Sequence, residues 1–172
     1  MSTIRPRKNK STMSNICIRM CILTVAIVVA FSSVTPALAA GAKFGPSNPF
    51  YAQSTLPFQA PPFDKIKDSD YQPAIEAGMA QQLKEMKAIA DDPAAPTFEN
   101  TLVAMEKTGQ LFNRAMLAFS GVTGANMNPV LQKVQDIEAP KLAAHDDAIY
   151  LDSKLFHRVE TIYKERDSLK LD

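Results

Sequence analysis

The chain has 172 residues, with 19 basic and 18 acidic side chains and 46% hydrophobic residues. That length suits one domain, the charge balance excludes an electrostatic grip on nucleic acid, and the apolar content is too high for a disordered chain. The charges are uneven, however. Arg5, Arg7, Lys8, Lys10 and Arg19 precede every acidic residue, so the remainder is mildly acidic.

Residues 1–39 read as a secretory signal peptide. The basic stretch is followed by an apolar run, Met20–Phe31, and by Ala37-Leu38-Ala39, which fits the small-x-small cleavage rule and predicts a cut before Ala40. The alternative is an uncleaved membrane anchor. A spanning helix needs roughly 20 apolar residues, and this run is shorter, with Pro36 soon after it. Met13 is an alternative start, since Arg19 still supplies a basic residue ahead of the apolar run. The expected destination is the periplasm or the exterior, with no stable membrane anchor after cleavage. Both cysteines, Cys17 and Cys21, fall in this leader, so the mature chain must hold together without disulfides.

Residues 40–69 predict an extended arm. Pro46, Pro49, Pro57, Pro61 and Pro62 forbid a regular helix, while Phe44, Phe50, Tyr51, Leu56, Phe58 and Phe63 between them call for a surface to pack on.

Residues 70–172 predict a helical domain. A first helix runs from about Asp70 to Asp91-Asp92-Pro93, with Ile75, Met79, Leu83, Met86 and Ala90 as its stripe. A second starts after Thr97 and places Phe98, Leu102, Met105, Gly109, Phe112, Met116 and Phe119 on one face, ending at Gly121 and Gly124. Gly109 is expected to admit a neighbouring backbone. A third opens at Asn128-Pro129 and carries Val130, Val134, Ile137, Leu142, His145 and Ile149, kinked or divided at Pro140. A fourth begins at Asp152 or Ser153 with Leu155, Phe156, Val159, Ile162 and Tyr163. The fold class is therefore all-α, an antiparallel bundle-like domain behind an extended arm and a signal peptide. The first two helices should pair antiparallel across Asp91–Pro96, because so short a link cannot return the chain to a parallel start. The second helix's face should be the most buried.

No catalytic, cofactor-binding or metal-ligating residue is identified. His145 with Asp146 and Asp147, and His157 beside Arg158, read as helix surface, because adjacent residues point about 100° apart on a helix. H-E-x-x-H, P-loop and G-x-S-x-G motifs are missing from the sequence. Met79, Met86, Met105 and Met116 stand at core spacing, the alternative being a Met-rich groove for peptides.

Several segments, read in order, resemble the N-terminal part of bacterial peptidyl-dipeptidases (dipeptidyl carboxypeptidases) of the thimet oligopeptidase family. They are Asn48-Pro49-Phe50, Ser54-Thr55-Leu56-Pro57-Phe58, Pro62-Phe63-Asp64-Lys65-Ile66, Tyr71-Gln72-Pro73-Ala74, Gly78-Met79 and Pro96-Thr97-Phe98-Glu99-Asn100-Thr101 with Glu106. Ala139-Pro140-Lys141-Leu142, Ile149-Tyr150-Leu151, Leu155-Phe156 and Arg158-Val159 continue them. The resemblance implies an all-helical zinc peptidase whose H-E-x-x-H helix and further glutamate lie in a C-terminal half not represented here. It implies that this chain binds no zinc itself, is inactive alone, and forms one wall of a channel for short peptides. Its expected partner is that C-terminal catalytic region.

The alternative is an autonomous periplasmic helical binding or adaptor module. Val103, Leu111, Leu117 and Ala118 lie off the second helix's stripe. With the arm and Leu169-Lys170-Leu171-Asp172, they predict an uncovered apolar surface and a marginally stable or self-associating chain.

Overall fold

The computed structural model describes residues 43–169. The predicted signal peptide, both cysteines and the last three residues lie outside the described residues. Within them the order is a 3-10 turn Pro57–Gln59, helix α1 Asp68–Ala90, a π-helical segment Phe98–Val103, the single turn α2 Ala104–Glu106, α3 Gln110–Ala125, α4 Pro129–Tyr150 and α5 Ser153–Lys164. The all-α expectation holds, with no strand among the described residues. No described helix is long and apolar enough to cross a membrane.

Helix α1 is the element that the others pack around. Its N-terminus is closed by Asp70, whose carboxylate accepts the Lys67 N–H at 2.8 Å. Tyr71, Ala74, Ile75, Gly78, Met79 and Ala90 are buried along it. Helix α3 lies antiparallel to α1, as the short connection predicts. Tyr71 meets Phe119 with ring centroids 5.4 Å apart at one end, and Gly109 N–H donates to Glu85 Oε2 at 2.8 Å at the other. Helix α4 runs parallel to α1. Asn128 Nδ2 donates to Asp68 Oδ2 at 2.8 Å near both starts, and Lys141 reaches Glu76 further along. Asn128 also caps α4, accepting the N–H groups of Val130 and Leu131.

The core has two parts. The larger gathers Phe50, Tyr71, Ile75, Met79, Leu111, Phe119 and Leu131, each worth a few kcal/mol by area removed from water. The smaller joins Ala90, Ile149 and Leu155, with Leu83, Met86, Ile89 and Met105 against them. The first part of the 43–67 segment is tied to the larger core. Phe50 is buried against Tyr71, Asn48 Nδ2 donates to Asp70 O at 3.0 Å, and Arg114 Nε and Nη2 both donate to Phe50 O.

Four expectations need correction. The second predicted helix is not continuous: it breaks between Glu106 and Gln110, where Gly109 takes φ +69° and starts α3 as its N-cap. A left-handed residue ends one helical run and lets the next start on a new axis, and glycine adopts it without steric cost. The register changes with the break. Leu111, Ala115, Ala118 and Phe119 are the buried face of α3, so the supposedly off-stripe Leu111 and Ala118 are core. Phe98, Leu102, Met105, Phe112 and Met116 are only half-buried. Gly121 and Gly124 do not end α3 but lie in its last turns, before Ala125. Finally, α4 is not divided at Pro140, because the proline sits on the exposed side, where the carbonyl it leaves free is open to water.

The close backbone approach expected at Gly109 occurs instead at Gly78. A β-carbon on Gly78 would stand 2.6 Å from Phe112 Cα. In an isolated helix Gly→Ala stabilises by about 1 kcal/mol, but here α1 and α3 would have to separate, an overpacking cost of about 1–3 kcal/mol. Gly78→Ala is therefore expected to be net destabilising. Urea denaturation checks it, and a gain in stability would contradict the close contact.

Candidate functional site

Two buried polar clusters hold the second half of the fold against α1. The first centres on Arg158 of α5, only 5% exposed. Its Nη1 donates to Asp92 O at 2.8 Å and Ala94 O at 3.1 Å. Its Nε donates to Thr101 Oγ1 at 3.2 Å, and its Nη2 to Asn100 Oδ1 at 3.0 Å, with Asp92 Oδ2 at 3.6 Å. Asn100 is itself fixed by the start of the π-helical segment. Its Oδ1 accepts Thr97 N–H at 2.7 Å while Thr97 Oγ1 accepts Asn100 N–H at 3.1 Å, a reciprocal cap. Asn100 Nδ2 closes the loop on Ala95 O at 3.0 Å. The Asp92–Pro96 loop, the π-helical segment and α5 thus share one guanidinium.

A cleft of about 500 Å³ opens over this loop, lined by Pro93, Pro96, Ser153, Lys154, His157 and Arg158 among others. Its chemistry is spent internally. Four of the five guanidinium N–H groups of Arg158 donate to protein acceptors, and Lys154 pairs with Asp91. Asp91 also takes Lys87, and these two ammonium groups hold its carboxyl at about 2. The cluster is a clamp that positions chain, with most of the Arg158 donors engaged within the fold.

The second cluster lies between α1 and α4. Glu138 is fully buried, and its Oε1 accepts from Lys141 Nζ at 2.9 Å. Lys141 also reaches Glu76. Burial raises the Glu138 carboxyl above its ordinary value, Lys141 pulls it back, and the neighbouring Glu76 charge adds to the rise. Glu76, half in water and bonded to Lys141, is lowered. Two turns on, His145 is 4% exposed and its ring stacks at 4.9 Å on Phe112. Among the described residues Glu138 Oε2 and His145 Nε2 have no hydrogen-bond partner.

His145 therefore needs correction: it is core rather than helix surface, and its Nδ1 approaches Asp146 Oδ1 at 3.4 Å. His157 is exposed, with Nδ1 3.8 Å from Glu160. The two histidines sit on different helices, one buried and one in water. Among the described residues no three His, Cys, Asp or Glu side chains come together as a metal site. Arg158, Asn100 and Thr101 carried the resemblance but no structural role was read from them in the sequence, and Glu138 was not singled out. The signal for two of them was there: Arg158 lies between Leu155 and Ile162, and Glu138 follows Val134 by four, each a charged residue on an apolar stripe.

The segments that meet here are the ones that carried the sequence resemblance. Asn48-Pro49-Phe50 closes on Tyr71, Thr97–Thr101 meets Arg158, and Lys141 meets Glu76. Two proteins named dipeptidyl carboxypeptidase are similar to this chain over most of its length. The chain is 45% identical over 126 residues to the dipeptidyl carboxypeptidase of Salmonella typhimurium and 42% identical over 125 residues to that of Escherichia coli. Over that stretch it is homologous to both. Each match takes 73% of this chain but only 18% of the relative, so the chain spans less than a fifth of their length. No protein-family model matches it.

Arg158→Ala is expected to lose about 3–5 kcal/mol, since it strands several buried acceptors at once. Arg158→Lys should recover little, because an ammonium cannot reproduce the planar fork. Equilibrium denaturation measures both, and a loss below about 1 kcal/mol would refute the clamp.

The Glu138 carboxyl gives a pH signature. With its folded-state pKa raised, it favours folding at pH values below its unfolded range, and that contribution is lost as pH rises through the raised value. Glu138→Gln should thus match the native chain in acid and gain on the order of 1 kcal/mol by neutral pH. A constant difference across a pH series would show that ionisation of Glu138 is not involved.

Proposed function

We propose that this chain is the N-terminal, non-catalytic part of an exported zinc dipeptidyl carboxypeptidase, an enzyme that releases dipeptides from the C-termini of short peptides. In this reading α1, α3, α4 and α5 form one wall of the substrate channel. Zinc and the groups that activate water belong to the remainder of the polypeptide. Residues 1–39 direct export.

The observation that carries the reading is the match itself, 45% identity confined to 18% of a dipeptidyl carboxypeptidase. The inventory of side chains supports it. The polar groups best placed to act, Arg158 and Glu138, are engaged inside the fold, and a clamp of this kind suits a scaffold. A wall must keep its shape while peptides pass, and buried charge-assisted hydrogen bonds supply rigidity where apolar packing alone permits sliding.

The purified chain, supplied with zinc and an N-terminally blocked oligopeptide, should release no C-terminal dipeptide by mass spectrometry. Release at a rate above the zinc-only control would overturn the non-catalytic assignment.

A further inference from the structure

Helix α5 buries one apolar side and carries two large aromatics on its outer side, with Glu160 between them. Its inner side, Leu155 and Ile162 with Arg158 between them, is buried. Its outer side carries Phe156 and Tyr163, both 64% exposed. They are seven residues apart and so lie two turns apart along the same side. At the corner just before the helix, Tyr150 is 80% and Leu151 77% exposed. Four large apolar side chains within fourteen residues thus face water. A surface helix ordinarily shows one apolar stripe and one polar face, and large aromatics on the outer face as well suit a place between two layers.

The charges nearby do not alter this. Glu160 pairs with Lys164 at 2.8 Å and stands 3.8 Å from His157, and the Arg166 guanidinium caps the Tyr163 ring at 4.4 Å. They satisfy one another, so the ridge asks for an apolar partner rather than a charged one. We infer that the outer face of α5, with the Tyr150-Leu151 corner, is the seam on which the remainder of the dipeptidyl carboxypeptidase polypeptide packs. This rests on the function proposed above. The occupant follows from the relatives: most of each lies outside the matched segment, and a covalently joined partner meets the ridge at an effective concentration of about millimolar or more, which a second copy does not.

The test grafts the matched segment of this chain into the Escherichia coli relative in place of its own. Retained peptidase activity is expected, and a folded but inactive graft would overturn the proposed function, and the seam with it. In the active graft, Phe156→Ser combined with Tyr163→Ser should lower the melting temperature. It should also speed proteolysis within the grafted segment about tenfold, by raising the population of locally open states. The same pair in this chain alone should leave its helical melting unchanged, because both side chains already stand in water there. A graft whose melting and proteolysis ignore the substitutions would overturn the seam while leaving the proposed function intact. So would concentration-dependent dimers of the chain alone that the pair abolishes, since the occupant would then be a second copy.

Discussion

The contact on which the fold depends is that of α3 against α1 at Gly78, where any β-carbon would press into the Phe112 backbone. Close approach there lets Tyr71 and Phe119 stack on one side and brings Gly109 to Glu85 on the other. A hydrogen at one position therefore sets the spacing of the longest helix pairing, and with it the floor on which α4 lies. Gly109 serves the same pairing differently. Its left-handed conformation ends one run and re-aims the chain, so that Leu111 and Ala118 rather than the half-buried Phe112 and Met116 complete the core.

The two polar clusters do what the small second core cannot. Ala90, Ile149 and Leu155 offer little apolar area, and the Asp92–Pro96 loop has no regular structure of its own to hold it. Arg158 answers this by drawing carbonyls of that loop and side chains of the π-helical segment to one planar group. The wide turns of Phe98–Val103 bring Asn100 and Thr101 to that group together, in keeping with the tendency of π-helical geometry to occur where side-chain placement matters more than helix stability. Glu138 and Lys141 tie α4 to α1 by the same logic, at the desolvation cost that a buried charge always carries.

These constraints describe a helical unit whose buried charged groups work within the fold. The guanidinium under the cleft over the Asp92–Pro96 loop makes four hydrogen bonds within the fold, and Phe156 and Tyr163 of α5 stand exposed. In the relatives the same segment is embedded in a polypeptide several times longer. The unit is thus held internally by charge-assisted hydrogen bonds and shows large aromatic side chains to water.

The helical class, the positions of α1, α4 and α5, the caps at Thr97 and Asn128 and the antiparallel pairing of the first two helices were legible in the sequence. Apolar spacing, cap residues and a short connection act locally, through backbone geometry that needs no distant partner. The resemblance was legible in short segments, some of which the fold brings together: Asn48 meets Asp70, and Asn100 meets Arg158. The break at Gly109, the register of α3, the burial of His145 and the roles of Arg158 and Glu138 were decided only in three dimensions. A continuous 4,3 repeat runs through Gly109 whether or not the helix does. The repeat cannot reveal that Gly109 takes a left-handed conformation and changes the register of the buried face. Nor can a charged residue on an apolar stripe show, before the fold assembles, whether acceptors will be waiting for it. For Arg158 they are supplied by a loop and a helix start about 60 residues earlier in the chain, and only the packing of α5 against α1 brings them within reach.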